Sequence, residues 1–183
     1  MTALTPHPWL VLCILLLSLY TTTSSAAPLK EYDAKVIFSF NFARYTQWPE
    51  HVFSDPETDL NFCVLAQDSL ISDTFQKIAG KKIGTHRIHL SVHKRITLQL
   101  QQCHALFVEK MDRDNLPRLF STTQGYPILM IGEMADFAST ASGGMINFTQ
   151  ANKFEVNPNI LEKAGLKLSA KVLKLKNATI IQH

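Results

Sequence analysis

Cysteine, histidine and paired carboxylates are the residue types in this chain whose spacing could support chemistry. Cys13, Cys63 and Cys103 are its three cysteines. Cys13 lies in an apolar run over residues 9–20, WLVLCILLLSLY. Twelve residues fall short of the about 20 that a ~30 Å hydrocarbon core requires. A polar stretch, 21–25, and then Ala26-Ala27-Pro28 follow the run. Apolar core plus small-residue site reads as a secretory signal cut after Ala26. The start lacks Lys and Arg, so an uncleaved anchor is the rival reading. Lipoprotein cleavage at Cys13 suits less, because Leu12 stands where a small residue is wanted. Domain limits are therefore expected at 1–26 for the signal and 27–183 for the mature domain, in an oxidising compartment. Removal of Cys13 leaves Cys63 and Cys103, an even pair that favours a disulfide over two buried free thiols.

His86, His89, His93 and His104 cluster in sequence. His89 and His93 would share a strand face yet lie ~13 Å apart at ~3.3 Å per residue, too far for one tetrahedral ion. With no CxxC or CxxH pair either, no metal site is expected. Glu133 and Asp136 follow a strand end, where α/β sites form. Their ordinary role is to cap the next turn, so no catalytic residue is assigned. No serine sits in GxSxG, and Gly143-Gly144 precedes a strand rather than a helix, which argues against a phosphate loop. The expectation is a non-enzyme without cofactor. The last helix, LSAKVLKLKNA over residues 168–178, carries Leu168, Val172, Leu173 and Leu175 with Lys171, Lys174, Lys176 and the preceding Lys167, which reads as basic and amphipathic, docked or facing an acidic partner or membrane surface.

The rest of the chain must position these residues. It has 183 residues, is 46% hydrophobic and carries a formal net charge of +3. Those values exclude disorder as the main state, and scattered charges of that size argue against nucleic acid as a partner. Residues 31–46 carry both a period-2 and a helical apolar pattern; their length favours a helix, stopped at Trp48-Pro49. Strands are expected at 61–66, 88–92, 104–108 and 126–131, then at 145–148 and 153–156 around a hairpin turn at 150–152. Helices are expected at 69–79 (ended by Gly80), 112–121 (interrupted near Pro117), 134–140, 160–164 and 169–176. Strands alternating with helices predict parallel βαβ units. The expected fold class is α/β: a single-domain three-layer sandwich, mostly parallel, with a C-terminal antiparallel hairpin. Cys63 and Cys103 would then start two strands at one end of the sheet, within bridging range.

Several segments in fixed order resemble the YfiR family of periplasmic proteins. They are Ala34-Lys35 through Phe40-Asn41-Phe42-Ala43-Arg44-Tyr45-Thr46-Gln47-Trp48-Pro49, Phe62-Cys63-Val64-Leu65, Cys103-His104-Ala105-Leu106-Phe107-Val108, and residues 128–133. Phe137-Ala138 with Gly143-Gly144-Met145-Ile146-Asn147-Phe148 follow, then Phe154-Glu155-Val156-Asn157 and Ala164-Gly165-Leu166-Lys167-Leu168-Ser169-Ala170-Lys171. The resemblance spans about residues 33–176. It implies an α/β fold opened by a helix, a disulfide matching Cys63–Cys103, and a non-catalytic role. The best-known family members repress an inner-membrane diguanylate cyclase by binding its periplasmic sensor domain. An OmpA-like outer-membrane lipoprotein draws the inhibitor away, and cyclic-di-GMP and biofilm formation rise. A second disulfide of some members has no counterpart here.

Repression of that kind requires a complementary apolar surface. The expected partner-binding residues are Phe42, Tyr45, Trp48, Met145 and Ile146, with ordinary core as the competing reading. A homodimer through the opening helix is also expected. The alternative function is a periplasmic small-ligand sensor feeding a membrane signalling protein, with a pocket at Glu133 and Phe137.

Overall fold

The opening segment resolves as one helix, α1 (Ala26–Arg44), in the computed structural model, which describes residues 26–53, 55–139 and 143–181. Residues 1–25 of the expected 1–26 signal segment lie outside the described residues. α1 buries Val36, Phe42 and Ala43 and packs Phe38 and Phe40 on the core, leaving Ile37 60% exposed. No helix of the described residues is long and apolar enough to cross a membrane.

After α1 come β1 (Thr46–Gln47), β2 (Leu60–Leu65), α2 (Ser69–Phe75), β3 (Lys82–Ile83), β4 (His86–His93) and β5 (Ala105–Val108). The chain continues through α3 (Leu116–Thr123), β6 (Leu129–Gly132), β7 (Ile146–Gln150), β8 (Lys153–Val156), α4 (Pro158–Lys163), β9 (Lys167–Leu168), α5 (Ala170–Leu173) and β10 (Ala178–Ile180). Eight strands form one sheet in the order β10-β8-β7-β6-β5-β2-β4-β3, and β1 with β9 form a separate antiparallel pair. The central run from β7 to β4 is parallel; β7–β8 and β4–β3 are antiparallel.

Side-chain alternation separates two faces. Phe62, Phe107, Ile131 and Phe148 follow the pairing register along one face. There Phe75 of α2 meets Phe62 and Phe107, with ring centroids 5.7 and 4.6 Å apart. On that face too, Phe42 of α1 lies 5.8 Å from Phe148 and 4.7 Å from Phe154. Cys63, Leu106 and Met130 fall on the opposite face, covered by the 3-10 segment Leu98–Gln102 and α3. The result is the expected three-layer α/β sandwich.

Several boundaries differ for local reasons. Residues 134–139 form turns, not a helix: Asp136 adopts φ 64, in the left-handed region that breaks a helix. Pro117 opens α3 instead of interrupting it, since the first helical turn has no use for its missing N–H. The basic C-terminal segment makes only the single turn of α5, and the chain then pairs β10 in parallel with β8. The antiparallel hairpin is therefore internal to the sheet. Gly80, with φ 73, ends the α2 region as its sequence position suggested.

Candidate functional site

The tail of α1 and the segment 164–169 are more than a hundred residues apart in sequence and meet in space. Thr46 and Gln47 pair with Leu168 and Lys167, and the Ser169 N–H donates to the Tyr45 carbonyl at 2.9 Å. Gly165 makes the turn at φ 74, with Pro49 3.2 Å from where a Cβ would stand. This ribbon presents Tyr45 half-buried, with the Arg44 guanidinium 5.8 Å from its ring.

Trp48 follows immediately. Its indole N–H donates to the His104 carbonyl at 3.2 Å, and its ring meets Phe53 edge-on at 5.9 Å. Phe53 in turn stacks on His86 at 4.1 Å and leans on His104 at 4.7 Å. The four rings form a partly buried aromatic cluster, with Trp48 and Phe53 packed against the core. His104 accepts at Nδ1 from the Asn61 N–H at 2.8 Å, so its remaining proton sits on Nε2. Burial, and then the nearby His86, push the His104 imidazole below its ordinary range. His86 and His104 belong to the histidine cluster seen in the sequence, whereas Phe53 lies in no periodic pattern and did not stand out there.

Of the remaining expected anchors, Phe42, Met145 and Ile146 are core side chains, exposed by 3% or less. A partner could reach them only by opening the core. Phe137 is likewise buried, and its ring explains why Gly132 and Gly144 carry no side chain. A Cβ on Gly132 would lie 2.5 Å from that ring, and one on Gly144 2.1 Å from it. Gly144 N–H donates to the Phe137 carbonyl at 3.0 Å. Asn147 accepts from the Met134 N–H at 3.0 Å, and Asn157 donates to the Ala138 carbonyl at 2.7 Å. Residues 133–139 and 143–147 thus close as a clasp around Phe137.

Glu133 stands where the chain leaves β6, but its carboxylate is engaged. Lys35 of α1 reaches it at 2.7 Å, Tyr32 donates to it at 3.3 Å, and Glu31 holds the same ammonium at 2.6 Å. Burial drives the Glu133 carboxyl up, opposed by Lys35, the Lys110 N–H and Tyr32. Burial works against the Lys35 charge as well, yet its hydrogen bonds to Glu133 and Glu31 prevail and raise its pKa. Tyr32 is shifted upward by burial and by the Glu133 charge. A lone lysine inside an apolar helix stripe was the available sequence signal for this pair. A cavity of about 400 Å³ touches Glu133, Asp136, Asn147 and Glu155 but not the Phe137 ring. Asp136 itself pairs with Arg113 at the surface.

Cys63 and Cys103 form a disulfide, with Cα atoms 5.8 Å apart. The geometry differs from two strand starts: Cys63 is mid-strand in β2, and Cys103 follows the 3-10 segment that crosses that face. Ser91 donates to the Cys63 sulfur at 3.3 Å and lies 3.1 Å from His93 Nε2. Among the described residues Cys63, His93 and Cys103 have metal-ligand spacing, but the two sulfurs are bonded to each other. His89 does not join them.

The family model described as YfiR/HmsC-like matches residues 32–176, from Tyr32 of the buried charge cluster to the end of the C-terminal basic segment. No curated protein matches the sequence.

Proposed function

The chain belongs to the YfiR/HmsC-like family, and on that premise we propose that it is a periplasmic regulator that binds and represses the periplasmic sensor domain of an inner-membrane diguanylate cyclase. Repression would lower cyclic-di-GMP and biofilm formation, and an OmpA-like outer-membrane lipoprotein would relieve it by competing for the same chain. The family is a regulatory one, associated with control of a diguanylate cyclase. The observation that carries the proposal is the match over 32–176, nearly the whole of the folded domain.

Two features support it. The disulfide fits export after cleavage of residues 1–26, leaving 27–183 as the working domain. The Tyr45–Trp48–Phe53 surface offers the half-buried aromatic anchors on which protein interfaces concentrate their energy. Deleting the gene and measuring cyclic-di-GMP tests the reading: the level should rise, and an unchanged level in a strain whose cyclases are active overturns it.

A further inference from the structure

From β2 the chain crosses by α2, on one face, to β4, then returns by the 3-10 segment and α3 on the other face to β5 and β6. The direction of winding reverses at β2, so a crevice opens outside the carboxyl ends of β2 and β5, the place where open α/β sheets bind ligands. A cleft of about 850 Å³ occupies this position. That size suits a small organic molecule.

The lining is chemically one-sided. Lys94 and Arg95 follow β4, Lys110 follows β5, and Arg118 projects from α3. Among the described residues none of these four cations is in a salt bridge. Lys94 donates to the Gln67 carbonyl at 2.8 Å and Arg118 to the Ile96 carbonyl at 3.2 Å, which fixes both at the rim. Two carboxylates also line the cleft, Glu109 and Asp112. Glu109 is occupied by the backbone N–H groups of Gln67 and Asp68. The lining thus carries two positive charges in excess over an apolar floor of Leu65, Ala66 and Ile96, all buried.

We propose that this cleft is a binding site for a small organic phosphate monoester. A phosphate monoester carries about −1.5 to −2 charge at neutral pH and matches the excess. Guanidinium forks such as Arg95 and Arg118 bind phosphate oxygens bidentately, and a flat apolar body covers the floor. Neither the regulatory role nor the aromatic surface enters this argument, and the site lies apart from Trp48.

Calorimetric titration of the purified mature chain, disulfide intact, tests it with adenosine 5′-monophosphate as probe. Adenosine and inorganic phosphate serve as controls for the body and the charge. The nucleotide should bind saturably, inorganic phosphate more weakly and adenosine not at all. Arg95→Glu with Lys110→Glu, both exposed, should weaken binding roughly tenfold or more, while Lys153→Glu on the distant hairpin should leave it unchanged. A thermal scan establishes that the reversal variant is folded. No saturable heat at millimolar nucleotide, equal binding of adenosine, or an unaltered affinity in the folded reversal variant overturns the proposal. The assay contains no cyclase, so its outcome is independent of the regulatory reading.

Discussion

Lys35 and Glu133 meet at 2.7 Å with both side chains less than a tenth exposed, joining the opening helix to the carboxyl end of β6. A buried pair of this kind is costly to break on one side, because the surviving charge stays desolvated. Glu133→Ala should destabilise the chain by about 1–3 kcal/mol, toward the low end because Glu31 retains part of the ammonium. The double replacement Lys35→Met with Glu133→Leu should recover much of that loss. Urea midpoints of Lys35→Met, of Glu133→Leu and of their double measure the coupling; simple additivity would show that the pair does not act as a unit.

The Cys63–Cys103 bond spans 40 residues of sequence. The chain-entropy argument assigns ~4 kcal/mol to a loop of that size. The Cys63→Ala, Cys103→Ala double variant should show a correspondingly lower unfolding free energy. Reductant should lower the parent and leave the variant unaffected. A parent insensitive to reductant would mean that the thiols are free in the isolated protein.

His104 and His93 are both depressed, chiefly by burial. The unfolded chain then binds protons near the ordinary value of about 6.5 while the native chain does not. The stability these groups contribute is present above that pH and is lost as pH falls through it toward the folded values. The melting temperature should drop between about pH 7.5 and pH 5, and His104→Gln should flatten the slope. Protonation of Nδ1 also removes the acceptor for the Asn61 N–H. A flat profile in the parent would contradict this assignment.

Gly132→Ala drives a methyl into the Phe137 ring. Overpacking of a closed core costs about 1–3 kcal/mol. Adding Phe137→Leu should restore part of the loss, since for Gly132 the nearest atoms are all on that ring. Melting curves of the single and double variants check it; a harmless Gly132→Ala would show that the clasp is looser than the contacts indicate.

The parallel sheet and the hairpin were legible in the sequence because each rests on a local pattern, apolar runs at 61–66 and 104–108 and a turn at 150–152. The opening helix was legible from its length, since 31–46 carries a period-2 pattern as well as a helical one. What was not legible depends on partners far away. Lys167–Leu168 is a strand only because Thr46–Gln47 pairs with it. The segment 178–180 becomes β10 because β8 offers an edge. Residues 134–139 carry a helical composition, but the clasp around Phe137 imposes turns instead. The same distinction divides the candidate anchors. Phe42, Met145 and Ile146 are apolar residues that the core claimed, whereas Trp48 is only partly buried, its indole N–H donating to the His104 carbonyl.

Of the proposed anchors, Tyr45 and Trp48 are partly exposed, whereas Phe42, Met145 and Ile146 are core. The most direct test is titration of the purified mature chain against the periplasmic domain of the inner-membrane diguanylate cyclase from the same cell. Saturable binding, weakened roughly tenfold or more by Tyr45→Ala and by Trp48→Ala in variants that remain folded, is the predicted result. Absence of binding by the folded, disulfide-bonded chain would contradict the regulatory account.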